Sequence, residues 1–307
     1  MAVNRSRNGI QHLLTAALCI LALSGCAGTS PDKHADQAVS TANVQSNQVT
    51  PVMLALPEAA YEAGRYDDAI RLYQELLVRD PNNNRLKLGI ADCELASNDP
   101  SDANGLYQEL EGDPSIRSEV LQGRGIALLR LGQNALAETK LKDAVAADPK
   151  LWRTWNALGA FYDANKQWDD ADQAYAKALA LTPRSAIVNN NLGFSLLSQG
   201  KLKEAIQAFQ TALEIDSTLQ PAQMNLRIAL ALAGRYDEAT AGAQGSALPA
   251  TLNNVGFAAM ARGDYTKAEA YLTQSVNASS SYEEMASKNL EELKALTGKS
   301  PVVSGGT

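Results

Sequence analysis

The chain has 307 residues, of which 45% are hydrophobic and 20% charged, and its formal net charge at pH 7 is −7. This length can bury a sizeable core, and an acidic chain whose repeats contain no basic tract lacks the electrostatic footprint of a nucleic-acid-binding protein. The chain has three cysteines, too few for a disulfide framework, and two histidines, which limits histidine-dependent catalysis and metal binding.

Residues 1–25 are predicted to be a secretory signal peptide. Arg5 and Arg7 precede an apolar run over 13–23, which is too short to span a bilayer in a mature protein. Removal of this segment takes away two basic residues and no acidic one. The 27 basic residues then become 25 against 34 acidic residues, so the mature chain would carry a net charge of −9.

The apolar run ends in Leu23-Ser24-Gly25-Cys26, which resembles the bacterial lipobox. That resemblance implies cleavage before Cys26 and lipidation of its thiol. Two or three acyl chains, palmitate among them, would anchor the protein stably. Because Ala27 rather than Asp follows the cysteine, analogy with other bacterial lipoproteins predicts transfer to the outer membrane, on its periplasmic face. The alternative is a plain signal peptide with a chance cysteine.

A polar stretch rich in Ala, Ser, Thr and Gln follows over residues 26–50. It has almost no large apolar residues and cannot form a core, so we expect a disordered tether. About 24 such residues have a root-mean-square span of roughly 25–30 Å. The folded part would therefore hang in the periplasm close to the membrane.

From residue 51 onward the sequence repeats with a period of 34 residues. Glycines recur twelve and five residues before the repeated alanine, and an aromatic residue recurs four residues after it. A period of this length is typical of stacked supersecondary units, each too small to bury its own apolar face. The alanine column consists of Ala69, Ala103, Ala137, Ala171, Ala205, Ala239 and, after a shorter interval, Ala268.

The copy over residues 152–185 shows the pattern best. Apolar and small residues at helical spacing predict one helix, Lys166-Gln167-Trp168 a break, and Ala171, Tyr175 and Ala178 a second helix ended by Pro183. The series Trp, Leu-Gly, Tyr, Ala, aromatic, Ala and Pro resembles the tetratricopeptide (TPR) repeat. The resemblance implies an all-α, right-handed helical solenoid of about six to seven repeats over residues 51–297.

Three places depart from the regular unit. Pro57 replaces the small glycine of the first copy and predicts a first helix shortened to 57–63. Gly242, Gly245 and Pro249 predict a second helix cut short after Ala239. Residues 282–296 predict an amphipathic capping helix with a charged outer face, and residues 298–307 a flexible tail.

The predicted solenoid contains no histidine, because His12 lies in the signal peptide and His34 in the tether. Ser-His-Asp and Cys-His catalysis are therefore excluded. Cys93 lies at a packing position, where we expect a buried and inert thiol. We accordingly predict no enzymatic activity, no metal, no cofactor apart from the acyl lipid on Cys26, and no small-molecule substrate.

Function should then rest on a binding groove, which the first helix of each pair lines in TPR proteins. The middle copies place Glu119, Arg130, Arg153 and Asp163 there, which makes a polar groove. The later copies make an apolar groove suited to an amphipathic partner helix. The predicted partner-binding residues are Ile187, Asn190, Asn191, Phe194, Leu197, Met224, Asn225, Ile228, Leu232, Asn253, Asn254, Phe257 and Met260.

Two alternatives remain for these residues. The capping helix, or the tightened turn after Ala239, could cover the apolar side chains and make them core. The column of Asn191, Asn225 and Asn254 could bond the backbone of a bound peptide, or it could help the helix pairs structurally.

Three strings, over residues 190–197, 230–236 and 253–259, resemble those of the TPR lipoproteins of the Tad (Flp) pilus assembly system. The order of lipobox, tether, repeats and weakened penultimate repeat is similar as well. The resemblance implies a protein-binding scaffold or pilotin that guides a secretin to the outer membrane. An adaptor for periplasmic cell-wall enzymes or proteases is the alternative function.

Overall fold

The computed structural model describes residues 49–278 and 280–298, and these residues form fifteen α-helices and no strand. The predicted signal peptide, Cys26 and the tether up to residue 48 lie outside the described residues, as does the predicted tail from residue 299. The helices are α1 Pro51–Glu62, α2 Tyr66–Arg79, α3 Asn84–Ala96, α4 Pro100–Leu110, α5 Arg117–Arg130, α6 Asn134–Ala147, α7 Trp152–Ala164, α8 Trp168–Leu181, α9 Ala186–Ser198, α10 Leu202–Ile215, α11 Gln220–Leu232, α12 Tyr236–Thr240, α13 Ala247–Arg262, α14 Tyr265–Ala278 and α15 Ser280–Thr297.

The described helices fall into two compact units, which meet in sequence at Pro183 and Arg184. The N-terminal unit contains α1–α8, paired as four helical hairpins, and the C-terminal unit contains α9–α15. Within each unit, the two helices of a hairpin pack together and the second helix packs on the next hairpin. The predicted all-α architecture of stacked helix pairs is therefore confirmed.

The alanine column marks the closest contacts between helices. All seven alanines, from Ala69 to Ala268, have no exposed surface. A side chain of one carbon lets two helix axes approach, and the larger residues around it fill the remaining space. The repeat period seen in the sequence is therefore a packing period.

Glycines serve the same helices in two ways. A Cβ added to Gly159 in α7 would lie 2.6 Å from Cε1 of Tyr175 in α8, so only a glycine fits beneath this ring. Gly132, in the loop between α5 and α6, has a φ of 72° and ends its helix in the left-handed conformation that favours glycine. Lys166 adopts the same conformation, with a φ of 58°, between α7 and α8.

The first helix differs from its prediction. It begins at Pro51 rather than Pro57, and Pro57 lies inside it. Pro51 stands in the first turn, where the missing N–H costs nothing. Pro57 removes one backbone hydrogen bond, but Pro57 and Ala60 are buried, and Ala60 packs in a cluster with Ala69 and Tyr73 of α2. Packing of α1 on α2 thus outweighs the lost bond.

The shortened second helix after Ala239 is confirmed, since α12 has only five residues. Arg227 in α11 occupies the position that Gly159 and Gly193 hold in their copies. Because α12 ends before it can place a large side chain opposite this position, a long side chain fits. The Arg227 guanidinium donates to the carbonyl oxygen of Ala239 at 2.8 Å and so caps the short helix.

The predicted capping helix is α15, and its prediction was partly wrong. Ala286 and Leu293 are fully or nearly fully buried, as an inner face requires. Met285 and Leu296, which the pattern assigns to the same face, are 54% and 37% exposed. An eighteen-residue helix that contacts both α13 and α14 cannot bury every apolar residue of a broad stripe.

We expect Gly159→Ala to destabilise the N-terminal unit by about 1–3 kcal/mol, the usual cost of overpacking a core. The Tyr175 ring cannot move aside, because Tyr175 is buried and its hydroxyl donates to Asp163 Oδ2 at 2.8 Å. Gly105→Ala in α4 is the matched control, since its new Cβ would meet nothing within 4 Å. That change should stabilise the helix by about 0.5–1 kcal/mol. Urea denaturation of both variants measures the difference, and equal shifts would contradict the predicted close contact.

Candidate partner-binding surface

The first helices of the N-terminal unit carry charges at corresponding positions. Arg85, Glu119 and Arg153 each lie in the first turn of α3, α5 and α7. Arg85 Nη1 is 2.8 Å from Glu119 Oε1, and both side chains are exposed. Such a pair contributes under about 1 kcal/mol to stability. These residues therefore make a polar face, as the sequence predicted, rather than a stabilising network.

Two carboxylates on α3 and α7 accept hydrogen bonds from tyrosines of the following helices. Tyr107 Oη donates to Asp92 Oδ1 at 2.6 Å, and Tyr175 Oη donates to Asp163 Oδ2 at 2.8 Å. Burial raises the pKa of Asp92 to about 6, although the Tyr107 hydrogen bond and the positive charge of Arg153 oppose this rise. The sequence pattern did not single out Asp92, which gives this face a carboxylate with a raised pKa.

The asparagines of the C-terminal unit bond one another across successive first helices. Asn225 Nδ2 in α11 donates to Asn190 Oδ1 in α9 at 3.0 Å, and Asn190 Nδ2 lies 3.3 Å from Asn191 Oδ1. None of the three residues has more than 3% of its surface exposed. Their amides link neighbouring hairpins, which supports the structural alternative for Asn190, Asn191 and Asn225.

The apolar residues predicted to bind a partner divide into two groups. Phe194, Leu197 and Met260 are buried, with 5%, 7% and 1% of their surface exposed. Phe194 and Leu197 belong to a core cluster with Phe209, so these side chains pack the unit itself. The accessible apolar residues, together with the accessible Asn254, form what we call the C-terminal first-helix surface, which consists of Ile187, Met224, Ile228, Leu232, Asn254 and Phe257.

This surface is uncharged. Met224 is its most exposed member, at 36%. Ile228 and Leu232 are partly buried and pack against the cluster that contains Phe194. Phe257 packs beside Met260 in a second cluster that includes Leu293 of α15. An accessible apolar strip on three first helices suits the apolar face of a partner helix better than a charged ligand.

The C-terminal helix occupies part of the predicted groove. Asn289 Nδ2 in α15 donates to Asn253 Oδ1 at 2.8 Å, and Asn253 Nδ2 lies 3.5 Å from Met285 Sδ. Leu290 packs in the cluster of Met260 and Phe257. The covering proposed as an alternative in the sequence analysis therefore applies to Asn253 and Met260. It does not extend to Met224 on α11, which is exposed.

The described residues offer few groups for other chemistry. Among residues 49–278 and 280–298, no cluster of His, Cys, Asp and Glu could hold a metal ion. Cys93 is buried, as predicted, and burial raises the pKa of its thiol to about 12. No helix within the described segments is long and apolar enough to cross a membrane.

The stacked hairpins define a helical-repeat protein. Residues 54–115 and residues 153–218 each match a family model described as tetratricopeptide repeat. These two segments therefore contain tetratricopeptide repeats, which serve generally as non-catalytic scaffolds for protein–protein contact.

Two curated relatives match this chain over only part of their own length. A probable N-acetylglucosaminyltransferase SPINDLY of Hordeum vulgare is 30% identical over 159 residues, which is 50% of this chain and 17% of that protein. The peroxisomal targeting signal receptor of Candida albicans is 34% identical over 82 residues, or 27% of this chain and 14% of the receptor. This chain thus spans less than a fifth of these relatives.

Among solved structures, a thermophilic TPR protein of Thermus thermophilus has a TM-score of 0.53 and 23% identity. The match covers 58% of this chain and 97% of that one. At this identity the likeness concerns the fold alone.

Proposed function

We propose that this chain is a non-enzymatic lipoprotein of the outer membrane that binds a protein component of a Tad (Flp)-type pilus, as a scaffold or pilotin for the secretin. The observation that carries the binding part is the C-terminal first-helix surface, where Ile187, Met224 and Phe257 remain accessible on three first helices, α9, α11 and α13. The lipobox and the three strings that resemble the Tad lipoprotein TadD support the location and the pathway.

The partner we infer is a helical segment with an apolar face. Methionine adapts its shape to varied side chains, and Met224 stands at the most open point of the surface. The curated relative from Candida albicans is named a targeting signal receptor, which supports the use of such repeats to recognise a short segment. Neutrality of the surface favours an apolar anchor over a charged motif.

The surface is tested by Met224→Gln together with Ile228→Thr. Met224→Gln keeps nearly the same side-chain volume, and Ile228→Thr replaces an ethyl group by a hydroxyl while keeping the β-branched shape. Circular dichroism of the double variant checks that the fold survives. Hot-spot residues typically contribute about 2 kcal/mol or more, and we expect capture of the secretin from solubilised outer membranes to fall at least about tenfold. Leu136→Gln, at a site 40% exposed in the N-terminal unit, is the control. If the double variant captures as much secretin as the parent, this surface is not the binding site.

The location is tested separately by Cys26→Ser. Because the lipidated thiol would lie outside the repeats, the variant should fold normally but lose its acyl chains and its anchor. We expect the protein to move from the outer-membrane fraction to the soluble periplasmic fraction, with no incorporation of labelled palmitate. An unchanged fractionation and unchanged labelling would refute lipidation at Cys26.

An adaptor for periplasmic cell-wall enzymes or proteases is the second candidate. The charged face of the N-terminal unit favours it, since Arg85, Asp92, Glu119 and Arg153 could meet complementary charges on a globular enzyme. Arg153→Glu would then abolish capture of the enzyme, whereas Met224→Gln with Ile228→Thr would leave it intact. If the partner is the pilus component, Met224→Gln with Ile228→Thr should lose capture and Arg153→Glu should retain it.

A further inference from the structure

The outer face of α1 carries a continuous apolar stripe that no other described residue covers. Its members follow one another at intervals of four, three and four residues, so they share one side of the helix. Val52 is 82% exposed and Leu56 is 62% exposed. Two alanines complete the stripe and are exposed as well, Ala59 within α1 and Ala63 directly after its last residue. We call these four residues the α1 stripe.

The same positions are buried one repeat later. The 34-residue period carries Val52, Leu56 and Ala59 to three buried residues of α3, which are Leu86, Ile90 and Cys93. These three belong to one cluster with Ala69 and Tyr73 of α2, the second helix of the preceding hairpin. Helix α1 has no second helix before it among the described residues. The α1 stripe is therefore a stacking face that lacks its partner helix.

The stripe is complementary to a second copy of itself. When two α1 helices run antiparallel about a two-fold axis, Val52 of one copy faces Ala63 of the other, and Leu56 faces Ala59. Each large side chain then meets a small one, so the helix axes can approach to about 8–10 Å. Two-fold symmetry repeats both contacts on the other side of the axis. A parallel pair would set Leu56 against Leu56 and alanine against alanine, which packs unevenly.

We propose that this protein pairs with a second copy of itself through the α1 stripe, as an antiparallel two-fold dimer. Each α1 takes the place of the second helix that the other copy lacks. The contact buries Val52 and Leu56, which water otherwise surrounds, and apolar burial is the main driving force for association. This surface is separate from the C-terminal first-helix surface, and pairing requires neither a pilus protein nor a lipid.

Charges favour this occupant over two others. Glu58 and Glu62 lie on one flank of α1, where they oppose approach to an anionic lipid surface. Head-to-tail stacking would bring the outer face of α15 onto the stripe, and the exposed side chains of Glu284, Lys288 and Glu291 would lose their hydration there. In the antiparallel pair, Glu58 and Glu62 stay outside the apolar contact and remain in water.

Pairing through one helix per copy is a small contact. A standard interface buries about 800 Å² on each partner, and smaller ones are typically weak. Association in solution should therefore depend on protein concentration. Two copies anchored at Cys26 on one membrane, as proposed above, would meet at a raised local concentration, which strengthens the same pairing.

Sedimentation equilibrium tests the pairing. The secreted full chain carries Cys26→Ser, so that acyl chains cannot drive association. We expect the parent to pass from monomer to dimer between about 5 and about 200 μM, the range of a weak interface. Leu56→Glu should raise the dissociation constant at least about tenfold, because it places an unpaired charge in an apolar contact. Val78→Glu in α2 is the matched control, since Val78 is 83% exposed and lies outside the stripe.

Two outcomes overturn the proposal. One is a parent that remains monomeric over the whole range, and the other is equal association by Leu56→Glu and Val78→Glu. Circular dichroism checks that both variants stay folded, as substitution of exposed side chains should allow. A monomeric parent whose unfolding midpoint falls with Leu56→Glu but not with Val78→Glu would mean that residues of the same chain cover the stripe, and it refutes the second copy as occupant.

A mixture of two oppositely charged variants tests the antiparallel register. One variant carries Val52→Lys with Leu56→Lys, and the other carries Ala59→Glu with Ala63→Glu. Neither should dimerise alone, because each would bury unpaired charges. An equimolar mixture should dimerise, since every lysine then faces a glutamate of the other chain. Failure of the mixture to associate, when the parent does, would contradict the antiparallel arrangement.

Discussion

Phe194→Ala is expected to lower the free energy of unfolding of the C-terminal unit by about 3–5 kcal/mol, the usual cost of removing a buried aromatic ring. Phe194 is 5% exposed and packs with Leu197, Ala205 and Phe209. Alanine would leave a cavity between α9 and α10 that the close-packed hairpins cannot collapse around.

Met224→Ala provides the comparison, because this side chain is 36% exposed and its truncation opens no cavity. It should cost less than about 1 kcal/mol. Urea denaturation gives the free energies, and hydrogen exchange should show lost protection mainly in α9, α10 and α11, since repeats contact only their neighbours. Similar costs for the two variants would mean that Phe194 is not core. With the expected costs, loss of partner binding in Phe194→Ala would report unfolding rather than contact.

Asp92→Asn is expected to stabilise the N-terminal unit at pH 7 by about 1–3 kcal/mol, since each pKa unit corresponds to about 1.4 kcal/mol. Burial raises the pKa of the Asp92 carboxyl from 3.8 to about 6, so the folded state disfavours the ionised form. The penalty is absent below the unfolded-state pKa of 3.8, grows as pH rises to about 6, and is constant above it. The asparagine oxygen can still accept the Tyr107 hydrogen bond.

The measurement compares unfolding free energies of the parent and the variant from about pH 4 to about pH 7.5, the interval over which the penalty develops. The advantage of Asp92→Asn should appear as pH rises across this interval. Asp216→Asn is the control, because its effect on stability should have the opposite sign. Hydrogen bonds from Thr218 lower the pKa of the Asp216 carboxyl, so the folded state favours its ionised form. Its removal should reduce stability at neutral pH. If the parent and Asp92→Asn keep a constant difference across this range, the Asp92 carboxyl does not titrate as described.

Sequence patterns predicted the helices well where the packing is local. The alanine column, the glycine beneath Tyr175 and the short helix after Ala239 all concern contacts inside one hairpin or between adjacent ones. The exception is α1, where Pro57 suggested a later start than Pro51. The sequence shows that Pro57 removes a backbone hydrogen bond from the helix. It does not show that Ala60 is buried against α2, which offsets this loss.

Prediction of the candidate surface was less complete. Phe194 and Phe257 occupy corresponding positions in α9 and α13, yet Phe194 is buried and Phe257 is partly accessible. Asn253 and Met285 were assigned to a groove and to a cap, and the structure places their polar and sulfur atoms in contact. A helical position specifies which side of its own helix a residue occupies, but the neighbouring hairpins decide how much of it water reaches.

The 34-residue period, the helix pairs, the small residues between them and the lack of histidine between residues 49 and 298 are all evident in the sequence. These follow from local rules, since propensity and periodicity act over one or two turns. Only the stacked helices determine that Asn289 of α15 bonds Asn253, that Asn225 bonds Asn190, and that Met224, Met285 and Leu296 remain exposed. Each of these depends on atoms in another hairpin, because burial and hydrogen bonding are completed only when hairpins stack.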